Sequence, residues 1–170
     1  MDAYFKRVFV IGNGGAGKSW LASALSRHAS LPLHHLDDFH WETGRYGVAR
    51  DRSERDAMVS AVMLGDRWIM EGIYGALANM ALPRLTALIW LDLPEEDCIA
   101  NVRKRGVQGG ASEASFEDLL AWISAYRIRR NNWNSHDGHR QIFDNFDGYK
   151  ERLESRAEVQ AFLQRIGARP

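Results

Sequence analysis

The sequence feature that most restricts the fold is the run Gly-Asn-Gly-Gly-Ala-Gly-Lys-Ser at residues 12–19. It follows an apolar run of strand length at residues 8–11, and it precedes apolar residues at helical spacing that begin with Trp20 and Leu21. A strand, a glycine-rich turn that ends in Lys-Ser, and a helix in that order predict a phosphate-binding loop. A glycine-rich turn that binds nothing is disfavoured, because every motif position is filled and both flanks fit.

The residue types of this loop predict its ligands. Glycines allow consecutive backbone N–H groups to face one concavity, and the following helix points its positive N-terminal end at the same place. Lys18 can then reach the β- and γ-phosphates of a nucleotide, and the Ser19 hydroxyl can ligate Mg²⁺. We assign ATP binding to Gly12, Gly14, Gly15, Ala16, Gly17, Lys18, Ser19 and Trp20.

Size, charge and cysteine content restrict the class of protein. The chain has 170 residues, which favours one domain with its own core. Its 22 basic residues balance its 22 acidic residues, so no overall field attracts nucleic acid or an anionic membrane. The single cysteine, Cys98, cannot form an internal disulfide, and no apolar stretch approaches the length of a membrane span. We expect a cytoplasmic protein in which Cys98 packs in the core.

Short apolar segments alternate with helical patterns along the chain. The candidate strands are residues 7–11, 33–36, 68–70, 87–91 and 149–153. Helices are expected at about residues 53–64, after Pro94, and from N-terminal caps at Ser115 and Ser155. This alternation predicts an α/β fold, a three-layer α/β/α sandwich around a parallel sheet. Ligands in such folds bind at the carboxyl ends of the strands.

Acidic residues follow the second and third candidate strands. A carboxylate at Asp37, or less strongly at Asp38, can face the phosphate loop and accept the proton of an attacking hydroxyl. Glu71 can support Mg²⁺ or hold an acceptor, Gly72 would allow close backbone approach, and Tyr74 is assigned to the same acceptor site. The alternatives are a solvated acidic turn at Asp37 and a Glu71 that is neutralised by an arginine.

Charged and glycine-rich segments follow the fourth candidate strand. Asp92 is equally compatible with a metal ligand and with a cap for the helix after Pro94. Arg105 and the i, i+3 pair of Arg127 and Arg130 could neutralise charge in the transition state of phosphoryl transfer. A solvated helix face explains the pair equally well. Residues 106–114 contain several glycines, and we expect them to form a short lid-like segment.

Several segments together carry a family resemblance. They are residues 11–19, His35-Leu36-Asp37 with Trp41, residues 68–74, residues 91–94, Lys104-Arg105, and the ending at residues 149–159. On these segments, which extend over nearly the whole chain, the sequence resembles P-loop kinases of the adenylate-kinase-like group. More narrowly, it is similar to small bacterial proteins described as DNA topology modulation or adenylate-kinase-related proteins.

The resemblance implies a five-stranded parallel sheet of order 2-3-1-4-5, and ATP with Mg²⁺ as the phosphoryl donor. It places Arg105 on the ATP phosphates and the adenine near residues 154–156, so that Arg156 becomes a nucleotide contact.

The chain also departs from the relatives that it resembles. Relatives have arginines after the third-strand motif to hold an acceptor's phosphate, whereas this chain has Gly75-Ala76-Leu77. The residues that could substitute are Arg45, Arg50, Arg52 and Arg84.

The sequence as a whole predicts an ATP- and Mg²⁺-dependent kinase, a single domain that transfers a phosphoryl group to a small-molecule acceptor, namely a nucleoside, a nucleotide or a similar hydroxyl compound. One alternative is a nucleotide-dependent regulatory protein that binds nucleic acid through the basic and aromatic residues at 127–140. Another is an NTPase without a small acceptor. The sequence does not indicate an oligomeric state.

Overall fold

A parallel five-stranded sheet organises the computed structural model of the chain, which describes residues 4–45, 47–107 and 112–168. The strands of this described part are Arg7–Gly12 (β1), Leu33–His35 (β2), Trp68–Gly72 (β3), Ala87–Leu91 (β4) and Tyr149–Leu153 (β5). Their spatial order is β2-β3-β1-β4-β5, and every neighbouring pair is parallel. The predicted sheet order 2-3-1-4-5 is therefore confirmed.

Helices cover both faces of the sheet. In the described ranges they are Lys18–Ala29 (α1), Leu36–His40 (α2), Arg52–Met63 (α3), Gly75–Ala81 (α4), Glu95–Arg105 (α5), Glu113–Ser124 (α6), His136–Asp144 (α7) and Arg156–Ile166 (α8). Alternate residues of β1 point to opposite faces: Val8 and Val10 pack with α1, α5, α6 and α8, whereas Phe9 and Ile11 pack with the other helices. These two cores confirm the three-layer sandwich.

Helix and strand ends differ from the sequence expectation in places that affect the site. The second strand ends at His35, one residue earlier than expected, because the chain turns directly into α2. The third strand continues to Gly72, so Glu71 lies inside a strand and pairs in register with Val10 and His35. The N-terminal cap of α6 is Ser112 rather than Ser115, since the Ser112 side chain accepts from the Ser115 backbone N–H.

The predicted final helix is confirmed, together with the residues that begin and end it. The Ser155 side chain accepts from the Glu158 backbone N–H and caps α8, and Gly167 ends the helix in the left-handed conformation. Cys98 is fully buried in the core, as the sequence indicated.

Asp92 ties together the segments that follow β4, and it fits neither interpretation of the sequence. Its buried carboxylate accepts hydrogen bonds from Arg127 at 2.7 Å, from Arg152 at 2.6 Å and from His136 Nε2 at 3.2 Å. The N-terminal cap of α5 is Pro94, so Asp92 does not cap that helix. Burial alone would raise the pKa of Asp92, but the His136 and Arg152 hydrogen bonds and the nearby cationic groups outweigh it and lower the pKa.

Replacing Asp92 by Asn leaves two arginines without their shared carboxylate. We expect the free energy of unfolding at pH 7 to fall by about 3 kcal/mol, the lower end for buried ion pairs, because both arginines keep contact with water. Urea unfolding measures this, with Asp66→Asn as the control at a carboxylate that is 96% exposed. Since the folded pKa is lowered, the stabilisation is present above about pH 4 and is lost as the pH falls further. A constant difference between wild type and variant from pH 7 to pH 2 would contradict this role.

Candidate active site

A cleft of about 710 Å³ lies at the carboxyl edge of the sheet, above the loop between β1 and α1. This size is typical of small-molecule sites. The sequence-assigned residues that line it are Gly14, Gly15, Gly17, Lys18, Ser19, Trp20, Asp37, Glu71, Gly72, Tyr74, Arg105 and Arg156. Residues assigned from five separate parts of the sequence therefore meet in one cleft.

Five of the assigned residues do not line the cleft. Gly12 and Ala16 are buried beneath the loop, where they support it from below. Asp38 is exposed on α2 but outside the cleft, since only its neighbour Asp37 turns inward. Arg127 and Arg130 are also absent from the lining residues that the structure describes.

The expectation that Arg127 and Arg130 point into the cleft is thus corrected. Arg127 donates to Asp92 and, at 2.6 Å, to Glu95, so its charge is used to hold β4 against the segment after α6. The side chain of Arg130 is 64% exposed and lies 3.3 Å from Asp137 on α7. Sequence spacing places both arginines on one helix face, but α6 ends at Ser124, before that pair begins.

Two asparagine side chains, one from the loop itself and one from α5, fix the backbone of the loop. Asn13 is buried, and its amide donates to the Ile123 carbonyl at 2.9 Å while its Oδ1 accepts from the Gly14 N–H. Asn101 on α5 donates to the Gly15 carbonyl at 2.9 Å. Sequence reasoning did not assign either asparagine to the site, because Asn13 occupies a variable position of the motif and Asn101 is 86 residues from its partner.

Two glycines of the loop are required by its own packing as well as by a ligand. Gly15 and Gly17 have φ of 75° and 90°, in the left-handed region that favours glycine. A Cβ atom on Gly15 would collide with the Cys98 carbonyl and approach Val102 to 2.8 Å. A Cβ atom on Gly17 would lie 2.8 Å from the Arg156 guanidinium, which donates to the Ala16 carbonyl. The loop is therefore in direct contact with α5 and with the start of α8.

Lys18 is the central charge of the loop. Its Nζ donates to the Asn13 carbonyl at 2.8 Å, which closes the loop on itself. Burial lowers the pKa of Lys18, and the nearby positive charge of Arg105 acts in the same direction. The charges of Glu71 and Asp37 oppose this shift. The ammonium group therefore lies in the electrostatic reach of both carboxylates and of Arg105.

A hydroxyl and a carboxylate lie side by side at the start of α1. The Ser19 hydroxyl donates to Glu71 Oε1 at 2.8 Å, and His35 Nδ1 lies 2.7 Å from the same oxygen. Glu71 is buried, whereas Ser19 is open to the cleft. Hard oxygen ligands of this kind, beside a phosphate-binding loop, fit Mg²⁺, which takes one or two protein oxygens and completes its shell with phosphate and water. In the described residues no group of three or more His, Cys, Asp or Glu side chains could hold a metal ion.

Asp37 lies in the first turn of the short helix α2 and lines the cleft. Its carboxylate accepts from the Tyr74 hydroxyl at 2.5 Å. Burial and then the charge of Asp37 raise the pKa of Tyr74, so the phenol stays protonated and must be the donor. The His40 ring packs 4.8 Å from the Tyr74 ring and 4.5 Å from the Trp41 ring. His40 and Trp41 also line the cleft, although sequence reasoning did not assign them.

The predicted lid-like segment at 106–114 is described only at its two ends. Gly106 ends α5 with φ of 76°, and Ser112 caps α6. Residues 108–111, at its centre, lie outside the described residues. The lid remains a prediction. In the part of the chain that is described, no helix has the length and apolar character needed to cross a membrane.

Comparisons with known proteins agree with this geometry. No protein-family model matches the chain. The uncharacterised protein YqaC of Bacillus subtilis (strain 168) is 24% identical over 132 residues, which cover 71% of this chain and 72% of YqaC. Shikimate kinase from Acinetobacter baumannii, solved in complex with shikimate, matches with a TM-score of 0.61 at 16% identity, over 98% of this chain and 97% of that one.

A gluconokinase from Sinorhizobium meliloti 1021 matches with a TM-score of 0.52 at 14% identity, over 96% of this chain and 94% of that one. The sheet order, the loop and these structural neighbours define the class: the chain has the P-loop fold of small-molecule kinases.

Alanine at Gly15 tests whether the loop conformation is set by contact with α5. We expect Gly15→Ala to lower the free energy of unfolding by about 3 kcal/mol, since a left-handed alanine costs about 1 kcal/mol and overpacking adds to that. Gly44→Ala is the matched control, because Gly44 has the same φ of 75° and no described atom lies within 4 Å of the position that its Cβ atom would take. Chemical denaturation measures both variants. Equal losses of unfolding free energy in the two variants would show that the loop conformation does not depend on its packing against Cys98 and Val102.

Proposed function

We propose that this protein is an ATP- and Mg²⁺-dependent kinase that transfers a phosphoryl group to the hydroxyl of a small-molecule acceptor. The observation that carries the proposal is that Lys18 and Ser19 of the loop line the same cleft as Asp37, whose charge acts on Lys18. The fold shared with shikimate kinase and gluconokinase supports the same reaction class. We further propose that the chain belongs to the adenylate-kinase-like group and acts in the cytoplasm.

The loop would bind the phosphates of ATP. Gly14, Gly15, Gly17, Lys18 and Ser19 line the cleft at the N-terminus of α1, a position that favours anions. Lys18 would exchange its contact with the Asn13 carbonyl for phosphate oxygens. Arg105 and Arg156 line the same end of the cleft and would neutralise the charge that spreads over the transferring group.

Ser19 and Glu71 would hold Mg²⁺, directly or through its water shell. When bound, the ion supplies positive charge beside the β- and γ-phosphates and orients them. His35 bonds to the same Glu71 oxygen as Ser19, so it would fix the carboxylate in the orientation that the structure shows. The burial of Glu71 between β1 and β2 restricts its movement further.

Asp37 would act as the general base. The acceptor hydroxyl oxygen forms a bond to the γ-phosphorus, the bond from that phosphorus to the β,γ-bridging oxygen breaks, and ADP leaves with the bridging oxygen. The hydroxyl proton passes to the Asp37 carboxylate. The Tyr74 hydroxyl, which donates to Asp37 at 2.5 Å, holds the carboxylate in place for this transfer.

The two alternatives predicted from the sequence receive less support from the geometry. Nucleic-acid binding through residues 127–140 would need free cations, but the described arginines there are engaged with carboxylates or carbonyls. Arg129, for example, donates to the Asn134 and Trp122 carbonyls and packs on the Trp122 ring. An NTPase without an acceptor leaves the position of Asp37 and the size of the cleft unexplained.

Replacing Asp37 by asparagine distinguishes the binding of ATP from the transfer of its phosphoryl group. We expect Asp37→Asn to keep the ATP dissociation constant within about two-fold and to reduce acceptor-stimulated ADP release by a factor of about 10² to 10⁴, the range for loss of a general base. Calorimetry with an ATP analogue and a coupled ADP assay measure the two effects. The assay includes nucleosides, nucleoside monophosphates, shikimate, gluconate and glycerol as acceptors.

Asp38→Asn is the matched control, because Asp38 is the exposed neighbour that does not line the cleft. It should leave both quantities unchanged. Full stimulation in the Asp37→Asn variant, or loss of ATP binding in it, would contradict the assigned role.

A further inference from the structure

Positive charge is confined to one end of the cleft. Among the described residues that line it, the arginine and lysine side chains are Lys18, Arg105 and Arg156. Arg156 contacts the loop at Ala16, and the charge of Arg105 acts on Lys18. All three therefore belong with the loop, where the proposed function places the phosphates of ATP.

A second group of cleft residues, which we call the acceptor end, contains a carboxylate. Its residues are Asp37, His40, Trp41, Tyr74 and Asn134. They are linked by the contact from Tyr74 to Asp37 and by the ring contacts of His40 with Tyr74 and Trp41. Burial and the charge of Arg55 lower the pKa of His40, so its ring is uncharged at neutral pH. The Asp37 carboxylate is then the acidic group that an acceptor would meet at this end.

Arg55, the arginine next to His40, is already paired with a carboxylate. Arg55 Nη1 lies 3.4 Å from His40 Nδ1, and Arg55 is not among the described residues that line the cleft. Its Nε and Nη2 groups donate to Asp56 Oδ1 at 2.9 Å and 2.7 Å. The Arg55 side chain is only 13% exposed, which leaves it little access to a ligand.

The arginines that could replace the family's acceptor-binding arginines are also engaged elsewhere. Arg45 pairs with Glu42 at 2.8 Å, Arg50 with Glu54 at 2.8 Å, Arg52 with Asp56 at 3.8 Å and Arg84 with Asp66 at 4.0 Å. None of these four is among the described residues that line the cleft. An acceptor with a phosphate or carboxylate group would therefore meet Asp37 with no arginine or lysine side chain among the described residues of this end to bind the added charge.

Aromatic rings make up most of the acceptor end. Trp41 is 41% exposed, and its ring packs at right angles to that of His40, which leaves ring surface open to a ligand. Flat heterocycles stack on such rings with little dependence on their hydrogen-bonding pattern. The Asp37 carboxylate, next to these rings, can accept a hydrogen bond from a hydroxyl group.

We propose that the acceptor is an uncharged nucleoside, with its base against Trp41 and its hydroxyl at Asp37. This proposal rests on the proposed kinase function, which it narrows from any small hydroxyl compound to a neutral one with a flat ring. It excludes nucleoside monophosphates, shikimate and gluconate, which are anions, and glycerol, which has no ring.

Turnover and binding of matched compounds test the proposal on the full chain. Adenosine, guanosine, cytidine and uridine are compared with their 5′-monophosphates, shikimate, gluconate and glycerol as stimulants of ADP release. At least one nucleoside should show a kcat/KM ten-fold or more above that of its monophosphate and of every other compound.

Trp41→Ala should raise the KM of that nucleoside about ten-fold through lost stacking, and should leave the KM for ATP unchanged. Trp133→Ala is the control, because Trp133 is 43% exposed and lies outside the cleft.

The outcomes separate this proposal from the function on which it rests. Preference for a monophosphate, shikimate, gluconate or glycerol would overturn the proposed nucleoside acceptor, but it would leave the proposed kinase function intact. Calorimetry without ATP gives the second readout: nucleoside binding that is weakened by Trp41→Ala but not by Trp133→Ala supports the acceptor site even if no compound stimulates ADP release. In that case the kinase function fails. Absence of binding by all four nucleosides overturns the proposal.

Discussion

The left-handed backbone of Gly15 and Gly17 is the constraint on which the site depends. These two residues turn the chain from the central strand into α1 at the carboxyl edge of the sheet, and they leave no room for a side chain. Because Gly15 packs directly on α5 and Gly17 on Arg156, the same turn brings the end of α5 and the start of α8 to the cleft. Asn13 and Asn101 then hold the loop carbonyls and amides in fixed orientations.

The distribution of charge around this loop shows how a chain with balanced charges would hold the proposed anionic ligand. The 22 acidic and 22 basic residues cancel overall, and most described arginines outside the cleft lie beside a carboxylate. Lys18, Arg105 and Arg156 line the cleft at the loop, next to Glu71, whereas Asp37 contacts Tyr74 of the acceptor end. This arrangement suits the proposed reaction between an anionic donor and a neutral acceptor.

Much of the fold could be predicted from the sequence, because local patterns determined it. The apolar runs of β1 and β4, the motif at 12–19, and the cap at Ser155 with Gly167 each carry a signal within a few residues. The sheet order came from a family resemblance rather than from any such pattern, and it is confirmed. The ends of helices and strands were less predictable where contacts with distant segments determine them. His35, which pairs with Glu71, is the last residue of β2, and α2 begins at the next residue.

The parts of the site that sequence reasoning missed depend on contacts between distant segments. Arg127 has the residue type and spacing of a catalytic arginine, but the buried carboxylate of Asp92 binds it instead. Nothing near Arg127 in the sequence indicates this contact, since the two residues are 35 positions apart. His40 and Trp41 enter the cleft because α2 follows β2 without a loop, and that connection could not be read from composition or periodicity.

The central claim is that the cleft moves a phosphoryl group from ATP to an organic hydroxyl rather than to water. The most direct measurement follows the label after incubation of the protein with Mg²⁺, γ-³²P-labelled ATP and the four nucleosides. The account predicts that the label appears in a nucleoside phosphate ester, in an amount that matches the ADP formed. Label recovered only as inorganic phosphate, with ADP formation that no acceptor increases, would contradict it.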